Sequence, residues 1–224
     1  MKAVIFDFDG TIVDSEQAWY EAYAGLYRRH GRELPFDLYS KSIGTSSDAF
    51  DPVRHLCDLD SSVRRDDAEL AVESEHRRLL SREPLRPGVR DSLHELKRLG
   101  IAVGLATSSR RAYVEPLLKK YGVESLFDAI ATADDVRQVK PHPELYELAC
   151  RRLGVEPSEA LAVEDSPNGA IAAIAAGMHV LCVPNAVTQR MTFPDGCRFR
   201  SSLEGVDWAS LLASIASPSQ AERE

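Results

Sequence analysis

The sequence lacks the features of several large classes of protein. Its 224 residues carry a net charge of −8, so the chain as a whole offers no basic footprint for nucleic acid. No apolar run approaches the roughly 20 residues that a membrane-spanning helix needs. The first residues pass directly from MKAVIF into the acidic DFD, which is unlike a secretion signal. We therefore expect a cytoplasmic protein that binds neither nucleic acid nor membrane.

Cysteine and low-complexity sequence are also scarce. The four cysteines lie far apart and form no CxxC or Cys/His spacing, which argues against a zinc site and favours reduced thiols. They are Cys57, Cys150, Cys182 and Cys197. Only the tail SPSQAERE, residues 217–224, is polar enough to predict a flexible end. With 44% hydrophobic residues, the rest of the chain is sufficient for a full core.

Five short apolar runs indicate β-strands. Each is apolar throughout and ends in polar or turn residues, which is typical of parallel strands covered on both faces. The runs are residues 3–6, 101–106, 129–131, 161–163 and 180–183. Amphipathic helical patterns separate them, including one that ends at Gly100 and one, residues 144–153, that ends at Gly154. Ser166-Pro167 begins a further helix, so the pattern predicts a doubly wound α/β sheet.

A long helical segment interrupts this alternation directly after the first strand. Residues 15–83 contain three or four amphipathic helical patterns and no convincing strand, and the sequence Leu85-Arg86-Pro87-Gly88 marks the return to the α/β pattern. We expect a core made of residues 1–14 and 84–216, with residues 15–83 inserted as a helical domain.

Chemically reactive side chains gather at the predicted strand ends. They are Asp7, Asp9, Thr107, Ser108, Ser109, Lys140, Glu164 and Asp165. In open parallel sheets, ligands bind beyond the carboxyl ends of the strands, so these residues should converge on one edge. Four carboxylates, a group of hydroxyls and a lysine predict a site for a divalent cation and an oxyanion.

Four motifs in order resemble the haloacid dehalogenase-like superfamily. DFDGTIVDSE, ATSS, VKPHPELY and EDSPNGAIAAIAAGM each stand at a predicted strand end, and the resemblance covers nearly the whole chain. It is similar to the branch of β-phosphoglucomutase and phosphoglycolate phosphatase, in which the helical insert is a small cap domain. The resemblance implies a Mg²⁺-dependent hydrolase acting on a small phosphorylated metabolite, with a monomer as the expected state.

The resemblance also implies roles for the carboxylates. Asp7 would attack phosphorus and form an acyl phosphate that water can open. Asp9 would donate a proton to the leaving oxygen and later take one from water. Asp7, Glu164 and Asp165 would hold Mg²⁺ through oxygen ligands, and Asp9 would contribute its main-chain carbonyl.

The phosphoryl group would be held by three further residues. Thr107, the amide of Ser108 and the ammonium of Lys140 would bind its oxygens. Four carboxylates facing a phosphate dianion would repel it without a cation, which supports the expectation of Mg²⁺. One of Ser108 and Ser109 could instead only cap the helix at Arg110, and Asp134-Asp135 favours a loop or cap pair without a catalytic role.

Two alternatives to hydrolysis stay open. A mutase of this branch would need a cap histidine, arginine and lysine, but Trp19 stands at the histidine position, residues 44–47 near the arginine position, and Lys41 well before the lysine position. A non-catalytic binding protein on the same fold is the second alternative. The segment 15–83 has ten Lys/Arg against fourteen Asp/Glu, which favours a small substrate over a polyanion. A sugar phosphate is expected first, and phosphoglycolate or a nucleotide monophosphate next.

Overall fold

The computed structural model describes residues 1–43 and 50–216, and these form an α/β fold built on one parallel sheet. Its strands are β1 (Ala3–Phe6), β2 (Ala102–Ala106), β3 (Ala129–Ala131), β4 (Ala160–Glu164), β5 (His179–Cys182) and β6 (Cys197–Phe199). The spatial order is β3-β2-β1-β4-β5-β6, and every pairing is parallel. The predicted doubly wound sheet is confirmed, whereas the predicted tail at 217–224 lies outside the described residues.

The sixth strand is one that the sequence does not predict. It pairs only with β5, where Val180 is opposite Cys197, and therefore lies at the edge of the sheet. Arg198 and Phe199 are exposed there. Strands are predicted from continuous apolar runs, which indicate burial on both faces. An edge strand with an arginine at its centre has no such run and is therefore not found in this way.

Helices lie on both faces of the sheet and in the segment after β1. That segment, called here the helical insert, contains α1 (Ser15–Arg29), α2 (Phe36–Tyr39), α3 (Pro52–Leu59) and α4 (Arg65–Leu80). The later helices are α5 (Val89–Arg98), α6 (Arg111–Tyr121), α7 (Glu144–Leu153), α8 (Pro167–Ala175) and α9 (Trp208–Ala216). Two predicted helix boundaries are confirmed: α7 ends at its C-cap residue Gly154, and α8 begins at its N-cap residue Ser166. The Ser166 hydroxyl caps α8 by accepting the amide hydrogen of Gly169.

Side chains of β1 alternate between two apolar clusters, as the pleat of a strand requires. Val4 and Phe6 pack with residues of α5, α6 and α9, including Trp208. Ala3 and Ile5 pack on the opposite face with residues of α7 and α8. Both faces of the central strand are therefore dry, and its first polar residue, Asp7, comes where the strand leaves the core.

The helical insert has an apolar cluster distinct from the two clusters at the sheet, and Val187 from the loop after β5 also belongs to it. The cluster is centred on α1 and α4, with Leu26, Tyr27 and Val72 among its buried members. Two chain segments join the insert to the sheet, and they touch through an antiparallel bridge between Val13 and Leu85. The insert thus stands over the strand end at which Asp7 lies.

No helix in residues 1–43 and 50–216 combines the length and the hydropathy that crossing a membrane requires.

Candidate active site

The carboxylates at the ends of β1 and β4 converge because these strands are neighbours in register. The amide of Asp7 donates to the carbonyl oxygen of Val163 at 2.9 Å, which continues the pairing one residue beyond β1. Asp7, Glu164 and Asp165 each place one carboxylate oxygen within 4.8 Å of the others, and all three are buried. The structure therefore brings together three of the residues that the sequence proposes as metal ligands.

Lys140 reaches the same cluster from the loop before α7. Its Nζ lies 2.5 Å from Asp7 Oδ1 and 2.7 Å from Glu164 Oε1, and only 1% of its side chain is exposed. The Tyr146 hydroxyl, on α7, donates to Glu164 Oε1 at 2.5 Å. Lys140 is thus held between two carboxylates, and Tyr146 is a further residue of the site that the sequence reading missed.

The cluster carries more negative charge than Lys140 neutralises. Burial raises the pKa of Asp7 to about 8, against the opposing effect of Lys140, and the charge of Glu164 adds to the rise. Burial, and then the charge of Asp7, raises the pKa of Asp165 well above its ordinary value. Burial alone would lower the pKa of Lys140, but the charges of Asp7 and Glu164 outweigh it and raise that pKa.

These residues fit a divalent cation with a preference for oxygen ligands. Three carboxylates and one ammonium leave two excess negative charges when all are ionised. Asp7 Oδ2 is buried and has no hydrogen-bond partner among the described residues. A buried carboxylate oxygen without a partner is costly, and Mg²⁺ would satisfy it together with Glu164 and Asp165.

The carboxylate of Asp9 is directed to a different set of groups. Its Oδ1 accepts a hydrogen bond from the Ser15 hydroxyl at 2.6 Å and one from the Tyr113 hydroxyl at 3.3 Å. Its Oδ2 accepts from the Ser109 hydroxyl at 2.5 Å. Burial raises the pKa of Asp9, and the bonds from Ser109, Ser15 and Tyr113 oppose the rise. Asp9 therefore stands beside the cluster rather than in it, which leaves its main-chain carbonyl as the predicted ligand.

Of the two serines suggested as a cap for the following helix, Ser109 does not fill that role, since its hydroxyl donates to Asp9. Helix α6 has Arg110 at its N-cap position without a side-chain cap, and the Arg111 amide donates instead to Asp134 Oδ2 at 2.8 Å. Asp135 accepts hydrogen bonds from Arg111 and Arg152. The Asp134-Asp135 pair thus links the loop after β3 to two helices.

Removal of the Ser109 hydroxyl tests whether Asp9 needs a fixed orientation. We expect Ser109→Ala to lower kcat by about 10- to 100-fold, because a hydrogen bond to a charged group contributes roughly 1.5–3 kcal/mol. Tyr113→Phe, which removes the longer bond to Asp9, should have a smaller effect. Steady-state phosphate release measures both, and equal activity of Ser109→Ala and wild type would contradict the positioning role.

The hydroxyl groups after β2 line a cavity of about 230 Å³ above the cluster. Asp7 and Asp9 form its floor, and Thr107, Ser108 and Ser109 line the same side. Thr107 is fully buried, and its Oγ1 accepts the amide hydrogen of Ser109 at 3.0 Å. The opposite wall comes from the helical insert, so the cavity lies between the sheet and the insert.

A second layer of side chains fixes Asp165, and the sequence reading missed it. The Asn185 side-chain amide donates to Asp165 Oδ2 at 2.7 Å, and the Thr11 hydroxyl lies 3.5 Å from Oδ1. Asn185 Oδ1 also accepts the amide hydrogens of Val187 and Thr188, and the Asn185 amide donates to the Thr188 hydroxyl. The turn after β5 therefore holds Asn185 in place against a carboxylate of the cluster.

Arg86 ties the hinge of the insert to the same region. Its guanidinium donates to the carbonyl oxygens of Gly10, Val183 (2.8 Å) and Pro184 (3.1 Å). The Arg86 amide donates to the Ile12 carbonyl oxygen at 2.9 Å. One side chain thereby joins the segment entering the sheet from the insert, the loop after β1 and the loop after β5.

Known proteins with similar sequences and folds agree with this geometry. A family model described as "Hydrolase: haloacid dehalogenase-like hydrolase" matches residues 1–177. "Putative phosphatase YhcW" of Bacillus subtilis is 41% identical over 213 residues, 95% of this chain and 96% of that protein. "Phosphorylated carbohydrates phosphatase" of Thermotoga maritima is 33% identical over 181 residues, covering 80% and 82%. A mutant of CbbY from Rhodobacter sphaeroides, solved in complex with xylulose-(1,5)bisphosphate, superposes with a TM-score of 0.75 at 28% identity, covering 94% and 99%.

Proposed function

The chain belongs to the haloacid dehalogenase-like hydrolases and is a phosphatase, and we propose that it hydrolyses a small sugar phosphate with Mg²⁺ through an aspartyl phosphate at Asp7. The observation that carries this proposal is the set of contacts made by the Asp7 carboxylate. One of its oxygens is held by Lys140, the other is buried without a partner among the described residues, and the residue forms the floor of the cavity.

In the first step, an oxygen of Asp7 attacks phosphorus and the bond between phosphorus and the ester oxygen breaks. Asp9, which lines the same cavity, gives its proton to the leaving alcohol. Burial raises the pKa of Asp9, which favours the protonated form that a proton donor needs. Lys140 supports the step because its charge lies beside the oxygens on which negative charge accumulates.

In the second step, water attacks phosphorus of the acyl phosphate and Asp9 takes a proton from that water. The bond from phosphorus to Asp7 breaks, which releases inorganic phosphate and restores the carboxylate. Ser15 and Ser109 hold Asp9 in one orientation through both steps. Thr107 and the amide of Ser108 would bind the phosphoryl oxygens.

Asp7, Glu164, Asp165 and the carbonyl of Asp9 would hold Mg²⁺, which when bound supplies positive charge that stabilises the transferring phosphoryl group. Lys140 and Tyr146 orient Glu164, and Asn185 orients Asp165. These neighbours keep the carboxylates in place before substrate arrives, which reduces reorganisation during the reaction.

The helical insert would act as a cap that closes over the substrate and excludes bulk water. Its connection to the sheet through two chain segments supports this role, and closure would have to keep or exchange the contact of the insert with Val187. The name of the Thermotoga relative supports a carbohydrate phosphate as substrate. We also propose that residues 1–14 and 84–216 form the catalytic core. We further propose that the protein is a monomer and that it is located in the cytoplasm.

The proposal is tested by phosphate release from a panel of phosphomonoesters. We expect release in Mg²⁺, none in EDTA, and recovery when Mg²⁺ is added in excess of EDTA. Phosphate release from no ester, or equal release in EDTA, would contradict the proposal. β-Glucose 1-phosphate with a bisphosphate primer tests the mutase alternative in the same assay, and we expect phosphate rather than glucose 6-phosphate.

Hydrolysis is preferred to the mutase alternative because of Trp19. Instead of a histidine able to handle a second phosphate, this position holds an indole stacked on His76 at a ring distance of 3.6 Å. Residues 44–47, which stand near the expected arginine, lie outside the described residues.

A further inference from the structure

We propose that Asn168 and Arg190 are positioning residues, which hold one part of the cavity wall in place opposite Asp7. This part is residues 36–43 of the helical insert, called here the wall segment. The described residues that line the cavity do not include Asn168 or Arg190, so both would act through the wall segment. The inference rests on the proposed function, because it takes the cavity as the substrate site.

The wall segment is short and has little regular structure to hold its shape. Helix α2 is a single turn, and a 3₁₀ turn, Ser40–Ser42, follows it directly. A turn of this length is unstable alone in water, because helix nucleation is unfavourable and few hydrogen bonds follow it. Tyr39 and Ser42 line the cavity, so the shape of the cavity depends on the contacts that hold this segment.

One end of the wall segment is fixed to α8. The side-chain amide of Asn168, the second residue of α8, donates to the Ile43 carbonyl oxygen at 2.7 Å. The next residue, Gly169, lies so close to Glu164 that an added Cβ would overlap the carboxylate. The first turn of α8 therefore contacts both a carboxylate of the cluster and the wall segment.

The other end is fixed to the turn after β5. The Arg190 guanidinium lies over the Phe36 ring, at 3.8 Å from the ring centroid. Val187, in the same turn, is buried in the apolar cluster of the insert. Asn185 of this turn also donates to Asp165. The second contact of the wall segment thus comes from a turn that orients another carboxylate of the cluster.

These contacts determine how often the cavity has its complete wall. Without the Asn168 hydrogen bond, the wall segment would occupy its present position for a smaller fraction of the time. The apparent affinity for a ligand of the cavity falls by that same fraction. Bound substrate favours the complete wall, so a saturating concentration of substrate should restore turnover.

The kinetic test measures KM and kcat separately. We expect Asn168→Ala to raise KM by about 3- to 10-fold, with kcat within about 2-fold of the wild type. Arg190→Ala should raise KM by about 2- to 5-fold, because an exposed contact between a cation and an aromatic ring contributes less. Steady-state phosphate release from the ester with the highest kcat/KM gives both parameters.

Each variant has a matched control in the same element. Ile171→Ala shortens a side chain of α8 that is 43% exposed. Gln189→Ala removes the exposed neighbour of Arg190, whose side-chain amide donates to the Ala186 carbonyl oxygen at 3.3 Å within the turn. Both controls should have the KM of the wild type.

Hydrogen exchange tests the same contacts without activity. The amides of Leu38 and Tyr39 both donate to the Pro35 carbonyl oxygen, so their exchange reports opening of the wall segment. In the free protein, we expect Asn168→Ala to exchange about 3-fold faster or more in peptides that cover residues 36–43. Peptides from α4 should exchange as in the wild type, because Asn168 does not bond to that helix.

A KM equal to that of the wild type in both variants, or a loss of kcat at unchanged KM, would overturn the inference. Unchanged exchange in residues 36–43 would overturn it too, and so would equally faster exchange in α4, which would indicate a generally loosened insert. If no form of the protein releases phosphate from any ester, the proposed function fails, and the exchange data alone decide whether Asn168 holds the wall segment.

Discussion

Asp7→Asn should lower phosphate release on the order of 10,000-fold or more while the protein stays folded. An amide is a poor nucleophile, so no acyl phosphate can form and hydrolysis would depend on water alone. The loss should appear in kcat for every ester, because Asp7 forms the covalent bond whatever alcohol leaves. Lys140 retains Glu164 as a partner at 2.7 Å, which keeps its ammonium satisfied in the variant.

Asp91→Asn makes the same chemical change on the exposed first turn of α5 and should leave turnover unchanged. Thermal unfolding of both variants shows whether the loss reflects chemistry or misfolding. An Asp7→Asn protein that folds and retains more than about one hundredth of wild-type activity would refute attack by Asp7. Incubation with substrate followed by an acid quench tests for the aspartyl phosphate directly. A small fraction of the wild-type protein should carry acid-stable phosphate, and Asp7→Asn should carry none.

The position of Asp7 could be predicted because it depends only on the residues next to it in the sequence. A wholly apolar strand is buried on both faces, and the first carboxylate after it must lie where the strand leaves the core. The same rule applies to Glu164 at the end of β4, and parallel pairing then brings the two ends together. The sequence also predicts Lys140 at this edge of the sheet, but its place between the two carboxylates depends on the loop before α7.

Other residues of the site depend on contacts that no local pattern encodes. Tyr113 is 104 residues away from Asp9 in the chain, and its place on α6 has no feature that distinguishes it from an ordinary packing tyrosine. Asn185 lies in a turn and contacts Asp165, and Arg86 donates to main-chain carbonyl oxygens. The orientation of these turns and carbonyl groups depends on the folded loops and not on the local sequence. Ser15 is closer in the chain, since it is the first residue of α1 and follows Asp9 by six residues.

Gly169→Ala tests the proposed cation site by steric overlap, because the added methyl group would overlap Glu164, one of the proposed ligands. A Cβ added at Gly169 would lie 2.0 Å from Cδ and Oε1 of Glu164. Atoms that are not bonded cannot approach so closely, so either Glu164 or helix α8 must move. Glu164 is also held by Lys140 and Tyr146, and its displacement would break both contacts.

We expect Gly169→Ala to raise the Mg²⁺ concentration needed for half-maximal activity by about 10-fold or more, since second-layer changes around a metal ligand typically cost this much. Overpacking should also lower the free energy of unfolding by about 1–3 kcal/mol. Mg²⁺ that binds only the folded protein raises Tm of the wild type, and the rise should shrink or vanish in the variant. That readout separates lost cation binding from a merely weakened fold.

Gly25→Ala is the matched control, because it makes the same change in an interior position of α1. Among the described residues, and apart from the backbone of α1 itself, its added Cβ would meet Arg28 Nη2 alone, at 3.8 Å. Alanine has a higher helix propensity than glycine, so this variant should gain up to about 1 kcal/mol of stability with unchanged Mg²⁺ dependence. If Gly169→Ala matched it in both respects, Glu164 would not be a ligand, and the excess negative charge at the strand ends would need another explanation.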